Sequence, residues 1–186
     1  MPDNKKMVEI RHFKMSFGDK TVIKDLSFNV FRGEVFGFLG SNGSGKTTTL
    51  RALLGLYQPT AGDLLINGKP YSVESQIRLG YLPEERGLYK KEKVLDVMLY
   101  FGQLKGLSRK EAKDFSLKFL ERVNLSDKAN TQLDKLSGGQ QQKIQLGVTI
   151  MGDPELLIMD EPAKGFDPVN RRLLMNIIEE QRKAGA

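Results

Sequence analysis

Cysteine is absent from the 186 residues, which excludes disulfides, thiolate metal sites and cysteine nucleophiles and is compatible with the cytosol. Histidine occurs once, as His12, and one imidazole cannot build a metal cluster. Long hydrophobic runs are missing too. The longest apolar stretches, such as Leu156–Met159, are a few residues long, against the roughly 20 needed to cross a bilayer. The opening, Met1-Pro-Asp-Asn-Lys-Lys6, has basic residues but no apolar segment behind them, so no secretory leader is predicted. Repeats and low-complexity tracts are also lacking. These absences predict a soluble chain, and its length suits one domain with a substantial core.

Charge is present in excess of one sign, a net +6. The lysines are scattered. The densest basic group, Arg86 with Lys90, Lys91 and Lys93, is interleaved with Glu84, Glu85 and Glu92, which reads as a solvated face rather than a surface for nucleic acid.

Residues 8–17 alternate imperfectly, with the apolar parity shifting near Arg11. Gly18-Asp19 then turns the chain toward a second strand, in which Leu26, Phe28 and Val30 alternate. Arg32-Gly33 is the next turn. The nearly continuous apolar residues 34–39 predict a strand covered on both faces. Leu50, Leu53, Leu54 and Tyr57 recur at helical spacing after a glycine loop, and residues 62–66 and 77–82 are shorter strand candidates. From Val94 the pattern is helical to about Gly106. Ser108 and Glu111 form a capping box for a helix burying Ala112, Phe115, Phe119 and Val123. Ile144, Gly147, Val148 and Met151 mark another helix, stopped by Gly152-Asp-Pro154. The strand Leu156–Met159 and a helix with Leu173, Leu174, Ile177 and Ile178 close the chain. The middle third is thus a helical insertion in an α/β core.

Three segments carry chemistry. In Gly40-Ser41-Asn42-Gly43-Ser44-Gly45-Lys46-Thr47, followed by Thr48, glycines let backbone amides turn inward around phosphate oxygens while the next helix directs its positive end at them. Lys46 supplies a mobile cation for the β- and γ-phosphates and the Thr47 hydroxyl a magnesium ligand. Asp160 and Glu161 end a strand, where two adjacent carboxylates are costly unless a cation pairs with them; magnesium fits. Leu136-Ser137-Gly138-Gly139-Gln140 opens a helix, with Ser137 placed as its N-cap.

These motifs, in this order, resemble the nucleotide-binding subunit of ABC transporters, a P-loop NTPase with a mixed sheet core, an N-terminal antiparallel β region and an inserted helical subdomain. The resemblance implies one ATPase domain, with a core of residues 1–83 and 152–186 and a helical subdomain over about 84–151. It implies ATP and Mg2+ as ligands, Asp160 on the metal through water, and Glu161 as general base for the attacking water. Ser137, Gly138, Gly139 and Gln140 would act in trans on the γ-phosphate held by a partner ATPase subunit, identical or paired, so that two chains enclose two nucleotides.

By the same resemblance Phe17 stacks on adenine, and Asp167 belongs to the loop that communicates across the dimer, with Lys164-Gly-Phe-Asp167 in place of the usual Ser-Gly-Leu-Asp. Glu84 stands where most relatives have a metal-approaching glutamine, which makes it a further metal-side candidate. The family's switch histidine follows a strand beyond Ala186, so the chain reads as an ABC subunit lacking its C-terminal part. The run Tyr81-Leu-Pro-Glu-Glu-Arg-Gly-Leu-Tyr89 is similar to ATPase subunits of ABC-2-type exporters. The implied role is to power export by a separate transmembrane permease subunit, from the cytoplasmic face of the membrane. A soluble ABC ATPase acting on DNA, ribosomes or iron–sulfur assembly, and a non-hydrolysing nucleotide-binding regulator, are the alternatives.

Overall fold

β1 (Lys6–Phe17) and β2 (Lys20–Phe31) form the antiparallel hairpin that the alternation predicts, with Phe17 and Lys20 paired across Gly18-Asp19 and Gly18 at a φ of 56°. The structure, a computed structural model, describes residues 5–72, 77–85 and 87–186; the first residues of the opening and Arg86 of the basic group lie outside them. The parity shift near Arg11 is a β-bulge. Register slips between Ile10 and Phe13, and His12 takes a φ of 47°. β3 (Ala61–Ile66) pairs antiparallel with the other edge of β1, giving the order β2-β1-β3. Gly62 of β3 faces the bulge at a φ of 82°, where a Cβ would stand 2.3 Å from the His12 carbonyl oxygen. The bulge thus keeps Val8 and Ile10 before it and Phe13 and Met15 after it all buried, despite the extra residue between the pairs.

The chain contacts divide into two compact units, residues 1–77 with 182–186, and residues 78–181. The first holds this sheet and α1 (Lys46–Leu53), which buries Thr49, Ala52 and Leu53. Residues 34–39 do not form the strand their apolar run predicts. Leu39 is 90% exposed, while Phe36 stacks on Phe28 of β2 with ring centroids 4.9 Å apart. An apolar run becomes a buried strand only where a neighbour takes its amides and carbonyls, and no strand among the described residues pairs with this one.

In the second unit β4 (Leu79–Leu82) and β5 (Leu156–Met159) run parallel in the register Leu79↔Leu156 to Leu82↔Met159. Four helices accompany them: α2 (Val94–Leu104), α3 (Arg109–Arg122), α4 (Gly138–Ile150) and α5 (Pro168–Lys183). Ser108 and Glu111 cap α3 reciprocally, as their spacing predicts. Val94, Met98, Phe119, Leu120, Ile144 and Ile177 belong to one buried cluster. Close approaches are bought with glycine: a Cβ on Gly147 would meet the Phe119 ring at 2.5 Å, and one on Gly80 the Thr149 carbonyl oxygen at 2.6 Å.

α4 ends on a cation that its sequence does not reveal. The Lys105 ammonium donates to the carbonyls of Val148 at 2.6 Å, Thr149 at 2.8 Å and Met151 at 3.1 Å. A positive charge there satisfies orphan carbonyls and complements the negative helix end. Burial pushes the Lys105 ammonium down to about 8 from an ordinary 10.5. The unfolded chain therefore holds this proton more tightly, and the Lys105 contribution makes stability rise as pH increases from about 8 toward about 10. Replacing Lys105 with Ala should cost about 1–3 kcal/mol at neutral pH, because three carbonyls lose their donor, and should flatten that alkaline rise. Urea unfolding at neutral and alkaline pH reads both effects.

Candidate functional site

The glycine loop of the first unit folds around its own lysine. Lys46 Nζ donates to the carbonyls of Gly40 at 2.8 Å and Ser41 at 3.1 Å, and the Ser44 amide donates to the Ser41 carbonyl at 3.2 Å. Gly45 is the N-cap of α1 in left-handed conformation with φ 94°, and no side chain caps the helix. A Cβ at Gly45 would lie 2.9 Å from Ile23 of β2, so glycine is needed there for space as well as for φ. A Cβ at Gly40 would lie 2.6 Å from Ser44 Oγ. The Thr49 hydroxyl and amide both donate to the Gly45 carbonyl, which fixes the first turn and leaves Thr47 and Thr48 only partly buried at the helix mouth. First-turn amides and the positive helix end face the loop, with a lysine arched over it, an arrangement chemically suited to an anion.

Phe17, also in the first unit, is 47% exposed and packs edge-on against Tyr57 at 5.5 Å. The Tyr57 hydroxyl accepts from Arg51 at 3.2 Å. An aromatic face held by such a contact is available for stacking.

The carboxylates stand at the carboxyl end of β5 in the second unit. The Asp160 amide donates to the Leu82 carbonyl at 2.8 Å, carrying the parallel ladder one residue past the strand. Asp160 is 3% exposed, and its Oδ2 is buried with no hydrogen-bond partner among the described residues. An ionised oxygen in that position lacks the compensation that buried charge requires, and it fits a site for a cation or its bound water. Glu161 follows at a φ of 49° with an exposed side chain. Among the described residues no group of three or more histidine or carboxylate side chains is placed to hold a metal. A magnesium ion bound here would therefore complete its shell with water and phosphate oxygens.

Glu84, two residues past β4, accepts from Lys164 Nζ at 2.5 Å. That hydrogen bond, and the Glu84 charge, raise the Lys164 ammonium above its ordinary value, with a smaller contribution from Glu161. Sequence reading did not single out Lys164 as a partner of Glu84, since 80 residues separate them. It also missed Gln145, which donates to the Glu85 carbonyl at 3.1 Å.

The helix-opening motif is built as its residue types require. Ser137 Oγ accepts from the Gln140 amide at 3.3 Å while Gln140 Oε1 accepts from the Ser137 amide at 2.9 Å, a complete capping box. Gly138 and Gly139 make the first turn of α4 without side chains to cover it, and a Cβ on Gly139 would come 3.8 Å from the Gly165 carbonyl oxygen. Asp167 caps α5: Oδ1 accepts from the Asn170 amide and Oδ2 from its side chain, each at 2.8 Å. Phe17 and the glycine loop thus belong to the first unit, and Glu84, the capping motif, Asp160, Glu161 and Asp167 to the second.

Comparison with known proteins gives these motifs a family. Residues 23–164 match the ABC transporter family. An uncharacterized ABC transporter ATP-binding protein of Methanocaldococcus jannaschii is 42% identical over 181 residues, 97% of this chain and 66% of the relative. The linearmycin resistance ATP-binding protein of Bacillus subtilis is 34% identical over 96% of this chain and 58% of its own length. The Nod factor export ATP-binding protein I of Rhizobium sp. (strain N33) is 38% identical over 92% and 57%. The chain thus spans between about half and two-thirds of the length of these relatives. Among solved structures, an ATP-binding subunit of an ABC transporter superposes with a TM-score of 0.86 at 28% identity, covering 97% of this chain and 76% of that one. The antiparallel sheet, the parallel β4–β5 pair and the helices are those of the P-loop ABC fold. No helix among the described residues is long and apolar enough to cross a membrane.

The orphaned oxygen of Asp160 makes a measurable demand on the ligand-free chain. Asp160→Asn removes a buried charge that no described group compensates, so it should raise the stability of the unliganded chain by about 1–2 kcal/mol. Thermal unfolding without nucleotide or divalent cation checks this; an unchanged or lower midpoint would remove the argument for an uncompensated carboxylate.

Proposed function

The chain belongs to the ABC transporter family, and on that premise we propose that it is the ATP-binding and hydrolysing component that powers a separate membrane subunit. The observation that carries this reading is the glycine loop, with Lys46 bonded to its carbonyls and the open end of α1 directed into it. Inorganic phosphate groups, rather than a sugar or a base, are what such a cradle recognises. Gly40, Ser41, Asn42, Gly43, Ser44 and Gly45 line it with backbone; Lys46, Thr47 and Thr48 bring side chains to it. Phe17 takes the adenine face.

In this reading Thr47 and Asp160 serve the magnesium ion, which when bound offsets phosphate charge and so supports attack on phosphorus. Glu161 accepts a proton from the attacking water as oxygen bonds to the γ-phosphorus and ADP leaves. Ser137, Gly138, Gly139 and Gln140 offer a capped helix start, suited to a phosphate held by a second ATPase subunit, and Asp167 belongs to the communicating loop of that dimer. The domain is one ATPase unit by function, with a core of residues 1–83 and 152–186 around a helical subdomain at about 84–151. Relatives named for Nod factor export and linearmycin resistance support export as the direction. The chain then works at the cytoplasmic face of the membrane, against a permease subunit.

Nucleotide titration tests the core of this reading. Lys46→Ala should weaken MgATP binding by roughly 2–4 kcal/mol, about 30-fold to nearly 1,000-fold, since a charge-assisted phosphate contact is lost without replacement. Unchanged affinity in the variant would sink the phosphate-loop assignment.

A further inference from the structure

The register of β4 and β5 brings residues that lie 80 positions apart to one end of the second unit. Leu82 pairs with Met159 and accepts from the Asp160 amide, so the segments leaving the two strands emerge side by side. Three carboxylates stand on those segments: Glu84 after β4, and Asp160 and Glu161 after β5. Lys164 stands among them. Its Nζ donates to Glu84 at 2.5 Å, and its own amide donates to the Glu161 carbonyl at 3.0 Å. The backbone bond closes a turn within the segment leaving β5, and the side chain reaches across from that turn to the segment leaving β4.

The segment bearing Glu84 is held from a third direction. Gln145 of α4 donates to the Glu85 carbonyl, and the Thr149 hydroxyl is 3.4 Å from the Tyr81 carbonyl oxygen. With the neighbouring Glu85 carbonyl tied to α4, Lys164 adds a side-chain contact to the Glu84 carboxylate itself. The electrostatics favour this arrangement. A third anion beside Asp160 and Glu161 would add to their mutual repulsion and to repulsion of any polyphosphate brought near them. A cation on Glu84 offsets that charge at the source.

We propose that Lys164 is a positioning residue: it holds Glu84 in a charge-balanced ion pair between the segments leaving β4 and β5, so that Glu84 remains beside the carboxylate pair without repelling nucleotide. This rests on the reading of the chain as an ATP-binding protein. As an exposed pair, Glu84 and Lys164 contribute little to stability; what the pair governs is how anionic the end of the unit is.

The prediction is a coupling between the two side chains, read in ATP affinity with and without magnesium. ATP titrations in EDTA and in excess Mg2+ would compare the wild-type chain with Lys164→Ala, Lys164→Glu, Glu84→Gln, the double variant Glu84→Gln/Lys164→Ala and the swapped pair Glu84→Lys/Lys164→Glu. Loss of Lys164 alone should weaken ATP binding in EDTA by about three- to tenfold, and less in Mg2+, where the cation screens the extra carboxylate. Glu84→Gln in the same background should restore affinity to within about twofold of wild type. The swapped pair, which keeps the net charge, should bind better than Lys164→Glu alone. Thermal midpoints and circular dichroism separate these effects from misfolding. Equal loss in both Glu84 backgrounds, or no loss on removing Lys164, overturns the positioning role while leaving the proposed function standing. Absence of ATP binding by the wild-type chain in either condition overturns the proposed function, and this inference with it.

Discussion

One backbone hydrogen bond, from the Asp160 amide to the Leu82 carbonyl, sets the geometry of the second unit's chemical end. It extends the parallel ladder past β5 and so fixes the direction in which the Asp160 side chain leaves the sheet. A parallel pair of four residues each is weak alone, and its helix cover stabilises it. Gly80 and Gly147 let α4 come against β4 and α3 at distances a Cβ would forbid, and the buried cluster of Val94, Met98, Leu120, Ile144 and Ile177 surrounds them. Carboxyl ends of parallel strands are where open α/β sheets place their ligand groups. Here the ladder puts a buried carboxylate there and a strained residue next to it. Glu161, at a φ of 49°, adopts a conformation that costs on the order of 1–3 kcal/mol for a residue with a side chain.

α4 is asymmetric in how its two ends are treated. Its N-terminal end carries the Ser137–Gln140 box, and two glycines leave the first turn uncovered. Its C-terminal end is closed by Lys105, which takes three carbonyls at once. Between them Ile144, Leu146, Val148 and Ile150 are buried, and so are Gln142, Gln145 and Thr149. A helix buried along that length and anchored at its far end presents its near end rigidly. If those amides meet a phosphate, as the proposed function has it, that rigidity means orienting them costs no further ordering at the moment of binding.

Local features were the legible ones. The parity shift at Arg11 announced a bulge because strand periodicity is two and any extra residue must break it. The capping box at Ser108 was visible because both partners lie within four residues, and Ser137 could be placed as an N-cap, though its reciprocal partner Gln140 was not read. The glycine loop opening α1 was legible for the same reason. Residues 34–39 show the opposite case: the pattern reports what a strand would bury, but a strand also needs a neighbour, and periodicity carries no information about that. The partners of Lys105, Lys164 and Gln145 escaped notice because a lysine or glutamine looks alike on a solvated face and on a carbonyl or carboxylate 40 or more residues away. The carboxylates at Asp160 and Glu161 could be found from the cost of their position; that Asp160 Oδ2 has no hydrogen-bond partner among the described residues could not.

The two charged sites of this chain are prepared in opposite ways, and the difference bears on how each meets a ligand. Lys46 already has acceptors in the loop carbonyls of Gly40 and Ser41, so seating a phosphate exchanges carbonyl contacts for stronger charged ones, and the loop costs little when empty. Asp160 Oδ2 is buried with no partner among the described residues, so the unliganded chain bears its desolvation, which a cation or its water would relieve. The loop is therefore tolerant of the unliganded state, whereas the strand end is destabilised by it. In the proposed function, affinity for nucleotide alone would draw on the first and dependence on a divalent cation on the second, where the penalty is present before binding and its relief would add to the free energy of the complex.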